Sequence, residues 1–149
     1  MLTVILLALV GAVIAAVIGT LWYSDKTPMG RIHMRYLGFY QLSPEEQKKK
    51  IAEVKPIMWK MYVGQLILSF LTTFSVVFII TMSMRNGLSF GMSMMFVVMN
   101  WLCFMVPIIG SGILWGNCDR SIAWKKFLSD ISSNLVTLIA VALLARLFV

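Results

Sequence analysis

The sequence predicts an all-α fold, an integral membrane four-helix bundle, on three observations. Of 149 residues, 60% are hydrophobic and only 13% are charged. The apolar residues gather into four runs, each about as long as a bilayer is thick, instead of scattering as a soluble core would require. A short pattern, Gly-x-Leu-Trp-x-(Ser/Asn), closes two of those runs, at Gly19-Thr20-Leu21-Trp22-Tyr23-Ser24 and Gly112-Ile113-Leu114-Trp115-Gly116-Asn117.

The first run, residues 2–22, holds no charge. At the helical rise it covers about 31 Å, the thickness of the hydrocarbon core. It has no basic leader and is too long for the apolar part of a cleavable signal, so it reads as an uncleaved span. Residues 57–84, 90–114 and 128–149 form three further spans of sufficient length, within one membrane domain over 1–149. Asn86-Gly87 suits the tight turn between the second and third, because both residue types tolerate positive φ.

In the long first connection, Ser43-Pro44-Glu45-Glu46 reads as a capping box with proline at the first helical position. A short helix is expected over 44–54, ended by Pro56. Ile51, Val54, Ile57 and Met58 recur opposite Lys48, Lys49 and Lys50, so this helix is expected to lie in the membrane interface. Docking of a partner is its alternative role.

All the Lys and Arg residues except Arg85 and Arg146 fall in or beside the first and third connections. Positive loops are retained in the cytoplasm, so both termini are expected outside and the first and third connections in the cytoplasm. The net charge of +7 is then a consequence of topology. It argues for anionic lipid headgroups as partners and against nucleic acid. Trp22, Tyr23, Trp115 and Trp124 fall where an amphipathic ring suits the headgroup boundary and are candidate interface anchors.

Allowing a one-residue slip, Asp25-Lys26 matches Asp119-Arg120, which extends the Gly-x-Leu-Trp echo. A tandem repeat of two hairpins, related by an axis along the membrane normal, is the natural inference. Ala8, Ala12, Ala15 and Gly19 form a small-residue stripe that lets another helix approach.

Mild polar seams mark the other spans. They comprise Gln65, Ser69, Thr72 and Thr73 on the second, Asn100, Cys103, Pro107 and Ser111 on the third, and Asp130, Ser133, Asn134 and Thr137 on the fourth. Such seams supply either hydrogen bonds between helices or the lining of a small polar cavity. Asn100 lies near mid-span, and its amide needs a partner, for which Asn134 and Gln65 are candidates. Pro107, with Gly110-Ser111-Gly112, makes the third span the one expected to bend.

No Asp, Glu, His or Lys lies in the middle of a span, which argues against proton-coupled transport. Asp130 is expected in the first turn of the fourth helix, favouring the positive end of its dipole. His33, the single histidine, is expected in an interfacial loop with no cysteine or carboxylate cluster around it. No phosphate loop, catalytic constellation or metal-ligand spacing is present, so no cofactor or metal is expected and an enzyme is the least favoured class. Cys103, inside a span, and Cys118, in a cytoplasmic turn, are expected to remain reduced and unpaired.

The order of these features resembles a known family. A span ending Gly-x-Leu-Trp-Tyr-Ser, then Gly30 and Met34, a Ser-Pro-Glu-Glu helix, and three more spans with a basic turn before the last are similar to the bacterial membrane proteins of the domain-of-unknown-function family numbered 1761. Members often follow Trp-Tyr-Ser with proline, where this chain has Asp25. The resemblance implies four membrane helices in a bacterial inner membrane and no established activity or catalytic residues. Two functions are consistent with the residues: a non-enzymatic scaffold or accessory subunit working through helix association and lipid or partner docking, as a homo-oligomer or within a membrane complex, and alternatively a small oligomeric channel or carrier for a neutral or weakly anionic solute.

Overall fold

The first apolar run folds as α1, Leu2–Trp22, and its end is fixed by the Tyr23 N–H donating to Gly19 O at 3.0 Å. The computed structural model describes residues 1–116 and 119–148. Within them every regular element is a helix, with no strand among the described residues. The expectations placed on Asn117, Cys118 and Val149 lie outside the described residues.

After α1 come α2 (Pro28–Tyr36), α3 (Pro44–Val54) and α4 (Met58–Arg85). A third long segment consists of α5 (Phe90–Asn100), a π-turn (Trp101–Met105) and α6 (Val106–Leu114), and α7 (Arg120–Arg146) follows. Four segments, α1, α4, α5 to α6, and α7, are long and apolar enough to cross a membrane.

Local chemistry sets the boundaries. Ser43 and Glu46 close the capping box reciprocally, with Pro44 at the first helical position of α3. Ser89 caps α5 by accepting from the Met92 N–H, and Asp119 caps α7 by accepting from Ser121 and Ile122 at 2.9 and 3.1 Å. At the α4–α5 turn Gly87 takes φ +82°, while Asn86 stays at −86°. Only the glycine therefore uses the left-handed region there.

Two elements differ from the sequence expectation. Residues 28–36 form a helix where a loop was expected, because Thr27 caps Pro28 at the first helical position. The fourth helix begins at Arg120 instead of residue 128, because the Asp119 cap starts it before the apolar run does. Lys125 and Lys126 are thereby helical residues, and Asp130 lies well inside α7, beyond its first turn.

Where the third span was expected to bend, the helix widens into the π-turn, which ends two residues before Pro107. Proline removes a backbone donor, and a widened turn is one way for the preceding residues to accommodate that loss.

The core gathers α1, α4 and α7 around Val4, Leu7, Val77, Ile80, Val141 and Ala142. Between apolar helices in lipid, close approach and van der Waals packing hold the contact, not exclusion of water. Gly11 makes that approach possible: a Cβ there would lie 3.0 Å from Thr73 Cβ and 3.2 Å from Val141 Cγ1. Thr73, fully buried, donates from its hydroxyl to Ala8 O at 2.8 Å, stitching α1 to α4.

Ala8 and Ala12 of the expected stripe are buried in this contact, Ala15 is half-buried, and nothing lies within 4 Å of the Cβ position at Gly19. The third span is set apart from this trio. Only 11% of its most apolar stretch is buried, against 28%, 33% and 28% in the other three.

Candidate functional site

The chemistry-bearing side chains meet at the basic end of the bundle, where α1 ends and α7 begins. Trp22 donates from Nε1 to Ser129 Oγ at 3.0 Å, and the Tyr23 hydroxyl donates to Asp130 Oδ1 at 2.6 Å. Lys126, one turn before Asp130 on α7, donates to both oxygens of the same carboxylate. The pair is largely buried, at 10% and 19% side-chain exposure for Lys126 and Asp130. Such a pair needs further polar partners to offset desolvation, and Tyr23 supplies one.

Two aromatic faces add to that support. Lys126 Nζ lies 5.2 Å from the Tyr23 ring centroid and 5.7 Å from that of Tyr36 on α2, within cation–π range. His33, also on α2, sets its ring against Tyr23 with centroids 5.1 Å apart. Its Nδ1 is buried without a hydrogen-bond partner among the described residues. It is therefore a half-buried helix residue inside a polar cluster, not the loop residue the sequence suggested.

One glycine allows α2 to close over this end. A Cβ at Gly30 would lie 1.8 Å from Ser24 O, a backbone atom, so no side chain fits. Thr27 holds the same turn: its hydroxyl lies 2.7 Å from Trp22 O and 2.8 Å from Ser24 O, and it accepts from the Gly30 N–H at 2.9 Å.

The electrostatics follow from burial and from the ion pair. Burial, then the hydrogen bond to Asp130 and its charge, push the Tyr23 phenol well above its usual 10.0, so it remains a donor at neutral pH. Burial first and the Lys126 cation second hold His33 below its usual 6.5, with Asp130 opposing. The imidazole is thus favoured as neutral.

The four aromatic anchors divide at this point. Trp22 and Tyr23 turn inward to α7, whereas Trp115 is 90% exposed and Trp124 is 50% exposed. The two Gly-x-Leu-Trp copies therefore have unequal surroundings, one bound into the bundle and one outside it.

In the polar seams, Thr73 and Asp130 bond across to α1 or its end, and most of the rest keep to their own helices. Gln65 donates to Ser69, Thr72 to Leu68 O, Ser111 to Ile108 O, Asn134 to Asp130 O and Thr137 to Ser133 O. The Asn100 side chain has no hydrogen bond among the described residues, and Asn134 and Gln65 bond elsewhere. Its neighbour Trp101 turns to α7, donating from Nε1 to Ile131 O at 3.2 Å.

Two grooves open beside α4, of about 260 and 510 Å³, and Asn100 borders both. Thr72 and Ser75 line the first; Phe78, Met82, Phe96 and Phe104 line the second. Among the described residues, no three His, Cys, Asp or Glu side chains gather as a metal site would need.

Sequence reasoning missed the cluster because Tyr23 and Asp130 are 107 positions apart. Lys126 and Asp130 at i,i+4 were a visible signal once the helix was known to begin at Arg120. No curated protein and no solved structure matches the chain. The model of one family, described as "Protein of unknown function (DUF1761)", matches residues 6–145, and with nearly the whole chain covered the protein belongs to that family.

Proposed function

We propose that the chain is a non-enzymatic accessory or scaffold subunit of the bacterial inner membrane, acting through helix association along its third span. The observation that carries this reading is the contrast in burial. A span with 11% of its most apolar stretch buried, and an unbonded amide at mid-length, presents a face that its own bundle does not use. Polar side chains at mid-membrane depth are stabilised by partners on another helix.

The basic end serves docking in this account. With both termini outside, that end faces the cytoplasm, and its Lys and Arg residues attract anionic headgroups at about 1 kcal/mol each. α3 lies in the interface: Ile51, 52% exposed, and Ile57 just beyond the helix, 49% exposed, are left for the membrane, and Lys48, Lys49 and Lys50 reach headgroups. The Gly-x-Leu-Trp echo closes two spans that run in the same direction, which supports a tandem pair of hairpins.

The test is purification of the full chain from its own membrane in mild detergent, with mass determination. Association with a further protein or with another copy is expected. A monodisperse single chain, free of protein and ordered lipid, contradicts the reading. A second reading rests on the 260 Å³ groove lined by Asn100, Thr72 and Ser75, a crevice for a small neutral or weakly anionic solute. It expects solute flux in liposomes that Asn100→Leu reduces; unchanged flux removes it.

A further inference from the structure

We infer that the third-span face is occupied by a second copy of this chain, with Asn100 of each copy hydrogen-bonded to Asn100 of the other. The inference rests on the helix-association reading and names its partner. It begins from an outlier. The seam residues Gln65, Thr72, Ser111, Asn134 and Thr137 donate to an acceptor in their own helix and Ser69 accepts from Gln65, whereas the mid-span amide of Asn100 makes no side-chain hydrogen bond among the described residues.

Its depth makes that costly. Asn100 follows the first residue of the span, Phe90, by about 15 Å along a segment about 37 Å long, near the centre of the hydrocarbon where water is absent. An acyl chain offers it neither donor nor acceptor. An identical amide offers both, since each carries an N–H₂ and a carbonyl that match the other's.

Symmetry makes one residue sufficient. Copies in one membrane share an orientation, so a two-fold axis relating them runs along the membrane normal, and a residue beside that axis meets its own counterpart at equal depth. The surroundings fit a helix better than a solute. Beside Asn100 the larger groove is apolar, lined by Phe78, Met82, Phe96, Met99 and Phe104, and the nearby hydroxyls of Thr72 and Ser75 are already bonded to Leu68 O and Leu71 O. A hydrated path needs polar groups in series, whereas one amide on an apolar wall suits a single pairing between helices. Flexible methionine side chains pack readily against such a neighbour.

The test measures the mass of the full-length protein over a dilution series in mild detergent and in phosphatidylcholine nanodiscs large enough for two copies. The native protein is expected at twice the 16.8 kDa chain mass. Asn100→Leu is expected to weaken dimerisation by about tenfold, ~1.4 kcal/mol, with helix content and melting unchanged because Asn100 makes no internal bond. Asn100→Gln keeps an amide and is expected to stay within about threefold of native, which holds the inference open to test even if the leucine change disturbs folding. A native protein monomeric at every concentration, or Asn100→Leu dimerising as tightly as native, overturns the inference. A monomer that co-isolates with a different membrane protein overturns this pairing while leaving helix association standing; a monomer with no partner overturns both.

Discussion

The α1–α4–α7 trio and the third span are built from the same kinds of residue, yet one is closed and the other open. In the trio, Gly11 lets two helices touch, Thr73 bonds across to Ala8 O, and Tyr23 and Lys126 converge on Asp130. Most polar groups there find partners inside the chain, although the buried Thr81 hydroxyl on α4 has none among the described residues. The third span holds to the trio through Trp101 and Val97, and turns Asn100, Phe104 and Ile108 outward. Hydropathy alone does not separate the two, because lipid-facing and helix-facing residues are equally apolar. What separates them is whether small residues and polar bonds tie a helix to its neighbours.

The largest effect is expected where the trio is closed by charge. Asp130→Ala leaves Lys126 buried without its carboxylate and removes the acceptor of the Tyr23 hydroxyl. It should cost about 3 kcal/mol, read as a lower midpoint in detergent unfolding. Replacing both partners, Lys126→Met with Asp130→Leu, should cost less than the single change; a double variant as unstable as the single one would show that the pair is not the source.

Next is Gly11→Val, which forces a side chain into the gap between Thr73 and Val141 and should cost about 1–3 kcal/mol by the same measurement. A neutral result there would mean that α1 and α4 are not in close contact.

A smaller effect comes from His33. Its folded pKa lies below 6.5, so between the two values the unfolded chain binds more protons, and stability falls as pH drops below 6.5. His33→Gln should flatten that acid-side loss while leaving stability at pH 8 nearly unchanged; an identical pH profile in both proteins would remove His33 from the account.

The smallest effect is expected on the open side. Phe104 and Ile108 are 62% and 70% exposed, so Phe104→Ala and Ile108→Ala should each change the unfolding of the isolated chain by no more than about 0.5 kcal/mol. Their effect should appear in association instead. A core-sized loss from either would close the distinction between the two regions.

Much of this organisation was legible in the residues. The first span was read to its ends, Leu2 and Trp22, because charge is absent within it and a turn follows. The Ser43–Glu46 capping box was read in the same way, since both of its bonds lie within one turn. Less was legible where a local cue competed with the apolar pattern. Lys125 and Lys126 look like loop charges until Asp119 is taken as a cap, and Thr27-Pro28 opens a helix too polar for hydropathy to mark.

The polar cluster depends on α1 and α7 being adjacent, and α2 folding back on them depends on Gly30 approaching Ser24 O. Neither relation has a spacing in the sequence. Asn100 was visible as a mid-span amide, but that its candidate partners Gln65 and Asn134 bond elsewhere is a property of the packed bundle.

The most direct measurement places a photo-activatable cross-linking residue at two outward-facing apolar positions in native membrane, Phe104 on the third span and Leu9 on α1, which are 62% and 50% exposed. The account predicts a protein adduct from position 104 and lipid adducts alone from position 9. Lipid adducts alone from position 104, or protein adducts of equal yield from both, would contradict the claim that the third span is the face through which this protein associates.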